Sequence, residues 1–228
     1  MSDLPQYAPL KIELPAEVAT EMRALSPALS SDVMAASEAF FFAPPFELVS
    51  QTDLDRVSRG DYDINGRFIF DMRELHCASG FSLNEVPGNK MTRGGPFVYR
   101  GTQRGKWVWR KQFMSHISAI KAFVDSLPFS DIDIVRAIKL PAHGVHVPHT
   151  DTPNATLTRA GHVTLTFVIA PGEKTKALVD GKLIDLSAPA YYFQDHNAWG
   201  MVAGKEEALM LKICGWMDAD KLEALLAS

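Results

Sequence analysis

Within the run His149-Thr150-Asp151, the histidine and the aspartate have the types and the spacing of a metal-binding pair. On an extended backbone, side chains two residues apart point to the same face, so the imidazole of His149 and the carboxylate of Asp151 can converge on one ion. A second imidazole is available from His196, which follows the strand-like run Tyr-Tyr-Phe. Two histidines and one carboxylate form the facial ligand set of non-heme Fe(II). The competing interpretation of His149 and Asp151 is a surface hydrogen-bonded pair.

Four segments extend this motif into a family pattern. They are Ile138–Asp151 (Ile-Lys-Leu-Pro-Ala-His-Gly-Val-His-Val-Pro-His-Thr-Asp), Arg159–Leu165 (Arg-Ala-Gly-His-Val-Thr-Leu), Val179–Leu183 (Val-Asp-Gly-Lys-Leu) and Tyr192–Phe193. Over about residues 130 to 217, this pattern resembles the 2-oxoglutarate-dependent aspartyl/asparaginyl β-hydroxylase and free-proline hydroxylase group. The first half of the chain lies outside the resemblance.

The resemblance implies a double-stranded β-helix and an oxidoreductase, a dioxygenase that uses Fe(II), 2-oxoglutarate and O2 to hydroxylate an amino acid, free or within a larger molecule. It places the iron on His149, Asp151 and His196. It also implies that the neighbourhood of Arg159 and His162 contacts a 2-oxoglutarate carboxylate. For His162, a histidine satisfied within the core is an equally good interpretation.

The chain departs from the family pattern at two positions. Trp199 stands where the pattern has its distal histidine, and Ala208 stands where it has the arginine that anchors 2-oxoglutarate. Four residues after Ala208, Lys212 interrupts a run hydrophobic enough to be buried on both faces, where a lysine needs an anionic partner. Because positions 208 and 212 share strand parity, Lys212 is predicted to replace the missing arginine. The alternative is an edge strand from which Lys212 points outward.

Because a fold does not settle a function, two other classes stay open. One is a cupin-like metal-binding protein, or a degenerate binding protein without oxygenase activity, which Trp199 and the missing arginine favour. The other is a metal-dependent isomerase or hydrolase.

Composition limits the broad class of the protein. The 228 residues are 46% hydrophobic and 22% charged, which suits one globular domain with a substantial core. The two cysteines, Cys77 and Cys214, cannot form a disulfide framework, so a reducing compartment is expected. The N-terminus has no signal-peptide pattern, and no apolar stretch is long enough to cross a bilayer. We therefore expect a cytoplasmic protein that does not bind a membrane.

Residues 86–124 are strongly basic, with eight lysines and arginines and no acidic residue, in a chain of net charge -4. Aromatic residues are interleaved with these cations, including Trp107 and Trp109. One interpretation is a docking loop for a small or carrier-borne anionic substrate; another is a solvated rim around core tryptophans. Base stacking on single-stranded nucleic acid is the least favoured, since the sequence pI is near 6.0.

The predicted fold class is mainly β with flanking helices, arranged as a double-stranded β-helix or cupin-like jelly roll. Residues 1–128 are predicted to form a helical and mixed extension packed on a metal-binding core of residues 129–228. Short strand-like runs separated by Pro, Gly and Asn predict strands in the core, and helical spacing predicts helices around it. The predicted strands are 132–140, 162–170, 176–186 with a turn at 180–181, 190–195 and 207–216, and the helices are 15–25, 112–127 and 219–226, after an N-terminal arm at 1–13.

Overall fold

The computed structural model describes most of the predicted core and parts of the first half of the chain. The described residues are 4–26, 79–82, 84–85, 108–109, 113–140, 142, 145–149, 161–170, 175–179, 182–194 and 199–227. Among the predicted site residues, Asp151, Arg159 and His196 lie outside these ranges, as does most of the basic segment 86–124.

Eight strands follow one another among the described residues of the second half of the chain. They are β5 (Phe129–Leu140), β6 (Val145–His149), β7 (His162–Ala170), β8 (Lys176–Val179), β9 (Lys182–Asp185), β10 (Ala190–Phe193), β11 (Trp199–Val202) and β12 (Ala208–Met217). The strand predicted at 176–186 is observed as two strands, β8 and β9, which pair with each other. The turn predicted at 180–181 lies outside the described residues. Strand β11 was not predicted.

These strands alternate between two antiparallel sheets. The larger sheet, here sheet A, has the order β1-β10-β7-β12-β5-β2, where β1 is Tyr7–Leu10 and β2 is Ser79–Ser82. The smaller, sheet B, has the order β6-β11-β8-β9. From β5 to β12, successive strands cross from one sheet to the other except at β8 and β9, which are neighbours in sheet B. This is the winding of a double-stranded β-helix, a jelly roll of the cupin type. The predicted fold class is therefore confirmed.

The N-terminal segment belongs to sheet A and is not a loose arm. Strand β1 pairs with β10 in antiparallel register, Tyr7 opposite Phe193 and Leu10 opposite Ala190. A separate two-stranded pairing joins β3 (Asn84–Glu85) to β4 (Val108–Trp109). Trp109 thus lies in a short strand.

Three helices are described: α1 (Ala16–Leu25), α2 (Ser118–Ser126) and α3 (Ala219–Ala227). In α1, Pro15 precedes the first turn, where its missing N–H costs nothing. The helix predicted at 112–127 was too long, because residues 113–116 form turns and the helix begins at Ser118. Among the described residues, no helix is long and apolar enough to cross a membrane.

Helix α1 fixes the start of α2 through Glu21. The Glu21 carboxylate accepts hydrogen bonds from the backbone N–H groups of Ala119 and Ile120, at 2.9 and 2.8 Å, and from the Ser118 hydroxyl at 2.9 Å. Such a carboxylate satisfies amide donors that have no partner within the helix and lies at the positive end of the helix dipole. The two helices are therefore held together at a defined point.

Sheet A separates two apolar clusters. The outer cluster lies between sheet A and the helices and takes every second residue of the central strands, including Val135, Leu165 and Leu211. The inner cluster lies between the two sheets and takes the alternate residues, including Ile138 and Met210. One face of sheet A thus packs against the helices. The other face, here called the inner face, lines the interior of the barrel.

Candidate functional site

The register of the strands shows which strand ends share one end of the barrel. His149, the last residue of β6, pairs with Trp199, the first residue of β11. Only residues 194–198 separate Trp199 from Phe193, which pairs with Thr164 near the start of β7. His149, Trp199 and the start of β7 therefore lie at the same end of the barrel, here called the His149 end.

Two buried cations lie side by side on the inner face of sheet A. Lys212 is 1% exposed and Arg136 is 4% exposed. They are directly opposite each other in the pairing of β12 with β5, and β12 is a central strand. Lys212 shares the inner face with Ala208, as predicted, so the alternative of an edge strand with Lys212 pointing outward is wrong.

A buried hydroxyl completes this row of the sheet. Thr166 of β7 is opposite Lys212 on the other side of β12 and is fully buried. Its Oγ1 atom has no hydrogen-bond partner among the described residues. One pair of positions closer to the His149 end, the Thr164 hydroxyl and the Cys214 thiol approach to 3.1 Å. The inner face therefore becomes polar from the middle of the barrel toward the His149 end.

A histidine–carboxylate pair lies at that end. His162 is 4% exposed, and its Nε2 atom is 3.3 Å from Oδ2 of Asp133. The ring of Trp216 packs edge-on against the imidazole, with 4.8 Å between ring centroids. His162 is thus a buried, hydrogen-bonded histidine, while its predicted contact with 2-oxoglutarate stays a prediction.

Of the residues predicted for the site, the structure brings Lys212 and His162 to the same inner face. His149 is located by its backbone register at the end of β6. Sequence reasoning missed Arg136 and Asp133. Arg136 carries a signal similar to the one that identified Lys212, a cation between apolar residues, here within Ile134–Ile138 of β5. Asp133 had no such signal, because its orientation depends on an irregularity in strand pairing.

The resemblance implies two bound groups, 2-oxoglutarate and iron, and each needs different side chains. The cations and the hydroxyl of the inner face suit a carboxylate ligand, because Lys and Arg donate charge-assisted hydrogen bonds to carboxylates. Among the described residues, no group of three or more His, Cys, Asp or Glu side chains could hold a metal ion. This absence does not concern the predicted iron ligands Asp151 and His196, which lie outside the described ranges.

Comparison with known proteins gives matches of structure alone. No family model matches the sequence, and no curated protein matches it. Similar solved structures include KdgF from Halomonas sp., at 18% identity over 38% of this chain and 71% of that one, with a TM-score of 0.29. A Cupin 2 conserved barrel domain protein from Salinispora arenicola is 13% identical over 44% and 71%, with a TM-score of 0.27. Salicylate 1,2-dioxygenase from Pseudoaminobacter salicylatoxidans is 11% identical over 76% and 31%, with a TM-score of 0.30. The fold assignment rests on the strand order and register given above.

Proposed function

We propose that this protein is an Fe(II)- and 2-oxoglutarate-dependent dioxygenase that hydroxylates an amino acid. The observation that carries the proposal is the burial of Lys212 on the inner face of a central strand, at the strand where the resembled family has its 2-oxoglutarate anchor. Lys212 is 1% exposed, and a lysine ammonium in such a position can donate a charge-assisted hydrogen bond to a carboxylate.

Lys212 and Thr166 are suited to holding the distal carboxylate of 2-oxoglutarate. They face each other across the β12–β7 pairing, where opposed Cβ atoms are about 5 Å apart. A carboxylate between them would accept a charge-assisted hydrogen bond from the ammonium and a second bond from the hydroxyl. Arg136 adds a further positive charge on the other side of Lys212.

The iron would be held by His149, Asp151 and His196 at the His149 end. When bound, iron and 2-oxoglutarate supply the activation of O2, with oxidative decarboxylation to succinate and carbon dioxide. The residues of the chain bind and orient the co-substrate, while the apolar inner cluster behind them excludes water.

The direct test is anaerobic addition of Fe(II) and 2-oxoglutarate to the purified protein. A visible metal-to-ligand charge-transfer band is expected, because the keto acid would chelate the iron. The Lys212→Met variant should need a higher 2-oxoglutarate concentration to reach the same absorbance. If no band forms at any concentration in the unmodified protein, the proposed function is wrong.

One observation favours a second candidate, a cupin-like metal-binding protein without oxygenase activity. In the pairing of β6 with β11, the residue opposite His149 is Trp199, which offers no metal-binding atom. If His196 does not complete the ligand set, the protein would bind metal through fewer side chains. Metal binding without consumption of O2 or 2-oxoglutarate, across a panel of amino acids, would support this candidate.

A further inference from the structure

The row of residues that contains Lys212 and Thr166 ends at a tyrosine on the inner face. Tyr191 of β10 is directly opposite Thr166, on the side of β7 away from Lys212. It is buried in the inner cluster, whereas its neighbour on the edge strand β1, Pro9, is exposed. In the described part of sheet A, Tyr191 is therefore the last buried side chain of this row.

The hydroxyl of Tyr191 bonds backward along the chain. Strand β10 runs toward the His149 end, because its last residue, Phe193, is opposite Thr164. The Tyr191 hydroxyl accepts a hydrogen bond from the backbone N–H of Ala188 at 2.7 Å and donates one to the carbonyl of Asp185 at 3.4 Å. Both partners precede β10, so the side chain is directed away from the His149 end.

A further hydrogen bond gives the depth of the turn that holds this hydroxyl. The backbone N–H of Val168 donates to the carbonyl of Pro189, the residue just before β10, at 3.0 Å. Val168 lies two residues beyond Thr166, counted from the His149 end. The turn is therefore deeper in the barrel than Thr166, and the ring of Tyr191 extends from Thr166 in that direction.

The ring is fixed, and its hydroxyl proton is used within the chain. Phe193 stacks on it, with 6.2 Å between ring centroids and an angle of 26° between ring planes. Asp185 is the last residue of β9, so Tyr191 joins sheet A to sheet B. Because the hydroxyl has one proton and donates it to Asp185, it cannot at the same time donate to a ligand carboxylate. Tyr191 thus offers a ligand a fixed apolar surface.

We infer that Tyr191 is a specificity-determining residue, whose ring limits the length of the keto acid that reaches Lys212 and Thr166. This inference rests on the proposed function, because it concerns the co-substrate of that same site. A dicarboxylic keto acid would lie with its keto end toward the His149 end and its distal carboxylate at Lys212 and Thr166. The ring of Tyr191 lies directly beyond. With both ends of the acid held, an additional methylene would be compressed against the ring, and close-packed interiors tolerate such overpacking poorly.

The test compares 2-oxoglutarate with 2-oxoadipate, which is one methylene longer. Both acids are titrated by calorimetry into protein that contains Fe(II) under anaerobic conditions, so that binding is measured without turnover. The unmodified protein should bind 2-oxoglutarate at least roughly 10-fold more tightly, since a single methylene in an apolar pocket is worth about 10- to 200-fold. Equal affinity for the two acids would overturn the inference without any variant.

Two variants then separate the ring of Tyr191 from its hydroxyl. Tyr191→Leu removes the ring and should tighten 2-oxoadipate binding by at least roughly 5-fold, while the affinity for 2-oxoglutarate changes by less than about 3-fold. Tyr191→Phe keeps the ring and should preserve the discrimination, although Ala188 loses its hydrogen-bond acceptor. Tyr191→Met replaces Tyr191→Leu if circular dichroism shows that the leucine variant is unfolded.

The next residue of the same strand provides a matched control. Tyr192 is fully buried in the outer cluster, opposite Leu165. Tyr192→Leu removes the same ring from the other face of sheet A. It should therefore leave the ratio of the two affinities unchanged, even where it lowers stability.

The inference is overturned if Tyr191→Leu leaves the ratio unchanged or lowers it only by weakening 2-oxoglutarate. It is also overturned if Tyr191→Phe loses the discrimination, or if Tyr192→Leu alters the ratio as much as Tyr191→Leu. The charge-transfer band of iron and 2-oxoglutarate can form whatever the affinity for 2-oxoadipate. Failure of this inference is therefore distinguishable from failure of the proposed function.

Discussion

The two faces of sheet A are made by alternate residues of the same strands, yet they differ in chemistry. Over residues 162–167 of β7, the outer face carries Val163, Leu165 and Phe167, while the inner face carries His162, Thr164 and Thr166. The outer face packs on α1 and α2 and gains free energy from apolar burial. The inner face buries polar groups at a cost in stability. This difference is the physical basis for our proposal that the inner face binds a ligand.

The largest expected effect is at the His149 end. Replacing His149 or Asp151 by Ala should weaken Fe(II) binding by at least roughly 100-fold, because each change removes a predicted ligand, while the fold is retained. Binding is measured by anaerobic titration, with circular dichroism to monitor the fold. His116→Ala, at an exposed position before α2, is the matched control. Unchanged iron affinity in both variants would show that the metal site is not at the His149 end.

On the outer face, Phe167→Ala should lower the free energy of unfolding by about 3–5 kcal/mol. Phe167 is fully buried and its ring packs edge-on against Phe123 of α2, with 5.0 Å between centroids. Urea denaturation measures the loss. The apparent KM for 2-oxoglutarate should stay within about twofold at a temperature where the variant is folded. A large rise in KM would show that the two faces are not functionally separate.

On the inner face, Lys212→Met should raise the apparent KM for 2-oxoglutarate, which the outer-face variant should leave nearly unchanged. The variant keeps the packing volume and removes the charge, so the apparent KM for 2-oxoglutarate should rise by roughly 10- to 1000-fold, or about 1.4–4 kcal/mol. Circular dichroism checks that the variant is folded.

A second substitution checks that the loss reflects the missing cation. Ala208→Arg, added to Lys212→Met, should recover part of the affinity, because positions 208 and 212 share the inner face. If Lys212→Met has no effect, the anchor must be sought at Arg159, His162 or the exposed Lys205. If none of these matters, the 2-oxoglutarate assignment itself fails.

The same alternation explains what could be predicted from the sequence. Strands β7 and β12 were predicted almost to the residue, because apolar runs bounded by Gly and Pro are strong local signals. The position of Lys212 followed from strand parity alone. Strand β11 was missed, since four residues containing a glycine give little periodicity. The orientation of Asp133 could not be predicted, because a bulge depends on which residue of a distant strand lies opposite.

The smallest expected effect is at Thr166, where stability and binding should change in opposite directions. Its buried hydroxyl has no hydrogen-bond partner among the described residues, so Thr166→Val should raise the free energy of unfolding of the ligand-free protein by about 1 kcal/mol. If the hydroxyl is kept for the carboxylate of 2-oxoglutarate, the same variant should weaken 2-oxoglutarate binding by roughly 3- to 10-fold. Urea denaturation and calorimetry measure the two effects, and Thr166→Ser, which retains the hydroxyl, should preserve the affinity. A more stable Thr166→Val variant with unchanged affinity would place the ligand elsewhere in the barrel, because the polar inner face would then be costly at this position without serving binding.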